Sequence, residues 1–268
     1  SGKIQLVDAE PAEGGVMNDK ELNRFLITYY ADPHPEKLLA AIRGFLALEP
    51  TLARKRNFRR EPILSSFAAI LRQNPQLIPA AAAFTKSLQD DQSKQYMALI
   101  FNSCGADTLQ KIRKELDPAT NLFLDKLAQM PDPLALPGKV RAPGDLDMLW
   151  HNFFITGLAE PLRRMLPSLE PGDEMTLAEV KEKGPTPALT EEEKAKLNRH
   201  VVRLAAEWSL TTNANNHPQV CFYLEGMLLR KQIEGAKAAE TVAKIVASSK
   251  FNQKPGQGTG NNGTSARK

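Results

Sequence analysis

Cysteine, histidine and tryptophan are scarce in this chain of 268 residues, at two, four and two copies. Cys104 and Cys221 have no C-x-x-C spacing and no third partner, so no disulfide framework is implied, although the two could pair across the fold. Both lie in apolar helical patterns, where a free cysteine packs as a small hydrophobe. His34, His151, His200 and His217 are far apart in sequence, and none belongs to an H-E-x-x-H metal motif. There is no G-x-S-x-G elbow and no recognised cysteine-nucleophile context. The longest wholly apolar run, Leu77 to Phe84, is broken by Pro79 and falls far short of the roughly 18 residues that a membrane span needs. Alternating apolar and polar runs between hairpin turns are also missing; Lys3 to Val7 is the only strand candidate.

The net charge of +4 invites a nucleic-acid reading until the charge is located. Lys250, Lys254, Arg267 and Lys268 fall in a stretch with no acidic residue. Without those four, the 35 basic residues drop to 31, equal to the 31 acidic ones. The basic balance therefore belongs to the tail. From residue 249 onward Gly, Asn, Gln, Ser and Thr dominate, a composition that buries too little apolar surface to offset chain entropy, so 249–268 is expected to be disordered. Gly258, Gly260 and Gly263 there spell G-x-G-x-x-G, but no strand precedes the motif and no helix follows it, so it reads as linker and no cofactor is expected.

What is abundant is helical grammar. Asn18 and Glu21 have capping-box spacing, ahead of Leu22, Phe25, Leu26, Tyr29 and Tyr30 at helical intervals. Pro35, Pro62, Pro75 and Pro218 stand where a helix begins, since the first turn needs no N–H there. Leu146, Leu149, Trp150, Phe153 and Phe154 form an aromatic stripe. Thr190 and Glu193 form a second capping box ahead of Leu197, Val201, Leu204, Ala205 and Trp208. A short helix is also expected from Thr176 to Glu182.

One helix–turn–helix passage occurs twice. Residues 100–112 align without a gap to residues 153–165, with Phe101 matching Phe154, Ala106 matching Ala159 and Leu109 matching Leu162. Such similarity points to stacked helix pairs. The expected fold is all-α, a solenoid-like array of antiparallel helix pairs without sheet. It comprises an extended segment 1–17, a helical domain 18–248 with a possible lobe boundary in the Pro-rich segment 130–144, and the tail.

Two surfaces could carry recognition. Arg54, Lys55, Arg56, Arg59 and Arg60 surround Phe58, a composition able to grip phosphates and stack a base. No nucleic-acid module surrounds them, so a solvated loop paired with acidic neighbours is the preferred reading and nucleic acid is not the expected partner. Trp150, His151, Phe154 and Trp208 could line a groove for a partner helix, although large aromatics more often build the core between helices. His151 has Asp147 four residues before it, within reach on one helix.

The phrases Tyr29-Tyr30-Ala31-Asp32-Pro33-His34-Pro35, residues 67–75, residues 149–157 and Ala206-Glu207-Trp208-Ser209-Leu210 are similar to a set of bacterial all-helical proteins with no established activity. The resemblance implies a helical fold and, because some members carry export signals, a trimmed N-terminus. It implies no cofactor and no site residues. Ser1 stands where an initiator Met would, so the chain is either processed or begins with an artificial remnant, and both a cytoplasmic protein and one exported to the periplasm with its signal removed stay open. A non-enzymatic scaffold binding protein or peptide is the expected function. An enzyme with dispersed His, Asp and Glu, and an anion binder using residues 54–60, are the alternatives.

Overall fold

Asn18 and Glu21 close the capping box that their spacing predicts: the Asn18 side chain accepts from the Glu21 N–H, and Glu21 accepts from the Asn18 N–H. This starts α1 (Asp19–Thr28). The computed structural model describes residues 15–55, 58–184 and 188–252. Among them there are thirteen α-helices and four short 3-10 turns but no strand; the fold is all-α. The strand candidate Lys3–Val7, the glycine motif of the tail and Arg56 lie outside the described residues.

The chain divides into two compact units, Ser1–Gly138 with Gly144–Leu162, and Lys139–Pro143 with Arg163–Lys268. Unit 1 holds α1, α2 (Leu38–Leu52), α3 (Glu61–Gln73), α4 (Ile78–Ser87), α5 (Asp91–Asn102), α6 (Ala106–Ile112), α7 (Pro118–Leu127) and all but the first residue of α8 (Pro143–Thr156). Pro35 and Pro75 each open a 3-10 turn before the α-helix begins, a tighter start than the expected first α-helical residue. Neither His34 nor Asn74 caps the turn with its side chain; the turns close through the Leu38 and Ile78 N–H groups, which bond to Pro35 O and Pro75 O. Asn74 turns its amide to Ile70 O (2.9 Å), finishing α3.

Phe45, Phe67, Phe101 and Phe153 are wholly buried in this unit. Phe45 meets Phe67 edge-on at 5.9 Å between ring centroids, a geometry favoured by the ring quadrupoles. Gly44 is needed because a Cβ there would run into the backbone of Met17. The α8 stripe belongs to the same interior: Trp150 stacks on Phe154 at 5.7 Å, and Tyr30 lies 5.4 Å from Phe153.

The two aligned passages follow a common element order. α5 leads through Gly105 to α6 and the 3-10 turn Arg113–Glu115. α8 leads through Gly157 to α9 (Glu160–Met165) and the 3-10 turn Leu166–Leu169. They differ at the joint. Gly105 (φ +100) stands before α6, whereas the left-handed Gly157 (φ +63) sits one aligned position earlier and donates to Phe153 O (2.7 Å). Leu162 is wholly buried, while its counterpart Leu109 is half-buried.

Unit 2 contains α10 (Leu177–Glu182), started by Thr176 as expected, then α11 (Glu191–Asn216), α12 (Pro218–Leu229) and α13 (Ala236–Ser248). Val202, Ala206, Leu210 and Ala214 of α11 pack inward with Val220, Leu224 and Met227 of α12 and Val242 and Ile245 of α13. Only His217 separates α11 from α12. At the far end of α13, Ser249 Oγ donates to Ala214 O (3.0 Å), and the Asn252 amide donates to Cys221 Sγ (3.6 Å). The start of α13 lies instead at Glu170, just past the 3-10 turn that packs on α11. α13 therefore runs alongside α11, and α12 runs back between its ends.

Two features were not foreseen. The expected disorder from residue 249 onward does not hold for 249–252. Ser249 is wholly buried and the Lys250 N–H donates to Asn215 Oδ1 (3.1 Å), so this polar stretch is fixed by hydrogen bonds to α11. The second concerns α13, whose N-cap Gly235 has no side chain. Glu170 supplies the missing acceptor from 68 residues away, taking the Ala238 N–H at 2.9 Å.

Candidate functional site

Among the described residues, the basic loop is divided in its contacts. Arg54 is exposed, and Lys55 Nζ lies 3.8 Å from Asp19. Phe58 is half-buried and packs on the unit 1 core, so it offers no free ring for a base. Arg59 lays its guanidinium over Gly144, where any Cβ would overlap it. It also acts on Asp147: burial pushes that carboxyl's pKa up, and the Arg59 charge pulls it back. Arg60 turns to the interior. Its Nη1 donates to Tyr96 Oη (2.6 Å), and Nη2 sits 3.3 Å from Glu49, a carboxylate only 3% exposed. Tyr96 Oη also donates to Glu49 (2.8 Å). A buried carboxylate needs such partners, so Arg60 is committed to the fold, and the described basic residues of the candidate patch contact different neighbours.

The groove quartet is likewise divided. Trp150 and Phe154 are 5% and 7% exposed and belong to the core of unit 1, whereas Trp208 in unit 2 is 71% exposed. The aromatic stripe of α8 thus lines no open groove. His151, the fourth groove candidate, holds Ser66 of α3 with Nδ1 and Oγ 3.0 Å apart; Ser66 Oγ is equally 3.0 Å from Pro62 O. Asp147, on its own helix, is not the partner. Burial pushes the His151 pKa down to about 4, so the ring is neutral at pH 7. The neighbouring Trp150 Nε1 is buried with no hydrogen-bond partner among the described residues.

No family model, curated protein or solved structure matches this chain.

The remaining histidines serve local structure. His34 sits between Asp32 (3.1 Å) and Glu36 (2.8 Å). His200, on α11, meets Glu174 at 3.0 Å, and Arg203 Nε reaches both oxygens of the same carboxylate at 2.9 and 3.0 Å. Burial works to raise the Glu174 pKa, but hydrogen bonds from Arg203 and His200 outweigh it and hold the carboxyl low. This cluster, with Lys196 to Asp173 at 3.0 Å and Arg199 to Asp173 O at 2.9 Å, pins the 170–176 loop along α11. Burial, helped by the Lys250 charge, lowers the pKa of His217 at the α11–α12 turn. Among the described residues no group of three His, Cys, Asp or Glu could hold a metal ion. Both cysteines are free thiols, and burial pushes the pKa of Cys104 to about 12, which keeps it a thiol. A groove of about 150 Å³ between α5 and α7, lined by Lys94, Thr120, Phe123 and Lys126, is smaller than the roughly 300 Å³ at which ligand pockets begin.

What the molecule does present is apolar surface. On α11, Leu204 (41% exposed) and Trp208 stand one turn apart, on the side opposite Val202, Ala206 and Leu210. On α12, Phe222 (71%) and Leu229 (78%) stand two turns apart, opposite Leu224. Phe222 and Leu229 were not singled out in the sequence. The signal available was that α12, from Val220 to Leu229, is apolar nearly all round, more than one packing face can absorb.

Proposed function

We propose that this chain is a recognition or scaffold protein that binds another polypeptide through the outward face of α11 and α12. The observation that carries this reading is the exposure of Trp208, Phe222 and Leu229, together with Leu204. Isolated apolar residues on a surface are ordinary, but two large aromatics and two leucines on adjacent helices of one unit are a concentration typical of protein contacts. Trp in particular is enriched among the residues that dominate binding energy. α11 is also rigid where it matters: the Glu174, His200 and Arg203 cluster ties its middle to the preceding loop, so the face loses little freedom on binding.

The test is a photo-reactive side chain introduced at Phe222, with the same group at the exposed Leu122 of unit 1 as control. A discrete cross-linked polypeptide at 222, lost when Trp208 and Leu229 are both changed to Ser, is the expected result. Equal labelling at both positions, or labelling indifferent to the two substitutions, would refute the reading.

A further inference from the structure

We infer that the partner seated on the α11–α12 face is a second copy of this chain, packed about a twofold axis. This deepens the reading of that face as a protein contact and rests on it. The first argument is area. Two aromatics exposed by 71% and two leucines by 78% and 41% leave on the order of 500 Å² of apolar surface in water per chain. Paired with itself, the face buries about 1,000 Å² of apolar surface before any polar rim is counted, the threshold for a specific interface.

The second argument is charge. Glu225 lies in the second half of α12, between Phe222 and Leu229; Arg230 and Lys231 follow the end of that helix, and all three are solvent-accessible. Among the described residues none of the three has an ion-pair partner. Glu225 and Arg230 are separated by about 7 Å along the helix, and the middle of that interval falls beside Leu204 and Trp208 on the returning α11. A surface carrying both signs on either side of an apolar centre is complementary to itself. A twofold axis lying in the interface, across both helices at that centre, sets Glu225 of each copy against Arg230 and Lys231 of the other. It also brings Leu204 of one copy towards Trp208 of the second, so large and smaller side chains alternate. A partner with charge of one sign would satisfy only half of this face.

The test is sedimentation equilibrium on the full chain, on Glu225→Lys, on Arg230→Glu, and on an equimolar mixture of the two variants. The wild-type chain is expected to reach dimer mass by roughly 100 µM. Each single variant should stay monomeric at that concentration, because each sets like charges at positions 225 and 230 against one another in both contacts of its own dimer. The mixture should return to dimer mass, since positions 225 and 230 are then oppositely charged in both contacts. A wild-type chain monomeric throughout, single variants that dimerise as well as wild type, or a mixture that stays monomeric would each overturn self-association. If the chain is monomeric yet position 222 cross-links to a different polypeptide, the face is still a protein contact and only its occupant is wrong. If neither occurs, both readings fall.

Discussion

His151 should make the stability of this protein fall as the medium is acidified. Its imidazole, held against Ser66 in the interior of unit 1, takes up a proton only near pH 4 in the folded chain, against 6.5 when unfolded. Between those values the unfolded chain binds more protons, so stability rises with pH. The contribution is complete above pH 6.5 and is lost as the pH falls towards 4. A drop from 6.5 to about 4 corresponds to about 3 kcal/mol, an upper limit because the residue keeps some exposure. Asp147, one turn earlier on α8, acts oppositely: burial raises its pKa, so the folded chain holds that proton more tightly than the unfolded one. His217 acts in the same sense as His151, from the other unit. The perturbation is therefore His151→Gln, which can still hydrogen-bond to Ser66 but does not titrate, leaving the other groups in place. Urea unfolding of both chains at about pH 7 and about pH 4.5 should show the wild type losing about 2 kcal/mol more than the variant. Equal losses in the two chains would show that His151 does not titrate with folding and would refute the argument.

Lys231 ends α12 in the left-handed region (φ +54), with the Gln232 N–H bonded to Met227 O; Lys231→Gly should stabilise the chain by about 0.5–1 kcal/mol in urea titrations. Arg60→Ala removes the guanidinium from the buried Glu49 and should cost about 2 kcal/mol, discounted from the usual buried-pair figure because Arg60 is partly exposed. Arg54→Ala, at an exposed position, should stay within about 0.5 kcal/mol in the same thermal or urea measurement. Glu170→Ala leaves the first turn of α13 without its acceptor and should cost about 1 kcal/mol, seen as faster hydrogen exchange of the Ala238 amide.

Where local chemistry decides an element, the sequence was informative. Both predicted capping boxes, at Asn18 and Thr190, close as spaced, and the short helix after Thr176 begins where its side chain can accept from Glu179. These depend on residues three apart, so the chain alone contains them. The two interactions that were missed depend on residues far apart. Glu170 caps α13 across 68 residues, and Arg60 reaches Glu49 and Tyr96 only after α2, α3 and α5 have packed. In the sequence, Arg60 is one cation among several in a loop. Only the buried carboxylate distinguishes it from Arg54, and the burial of Glu49 is a product of tertiary packing.

Of the exposed apolar side chains on α11 and α12, the sequence points to Trp208 as a groove residue but not to the face it stands on, for a related reason. Leu197, Val201, Leu204, Ala205 and Trp208 form a regular apolar stripe, and such a stripe ordinarily marks the buried side of a helix. In the structure these residues are half-buried or exposed, while α11 packs through Val202, Ala206, Ser209, Leu210 and Ala214. The inward set is small: alanines and a serine allow the 3-10 turn at 166–169, α12 and α13 to approach the α11 backbone closely. Periodicity weighted by hydrophobicity follows the larger residues, and on this helix the larger residues face out. A helix with one face of small residues and an opposite face of large ones has two sides suited to packing, and the fold uses one of them. The side left in water carries the tryptophan, which is why the face of α11 that seemed to define the core by pattern is the one assigned here to a partner.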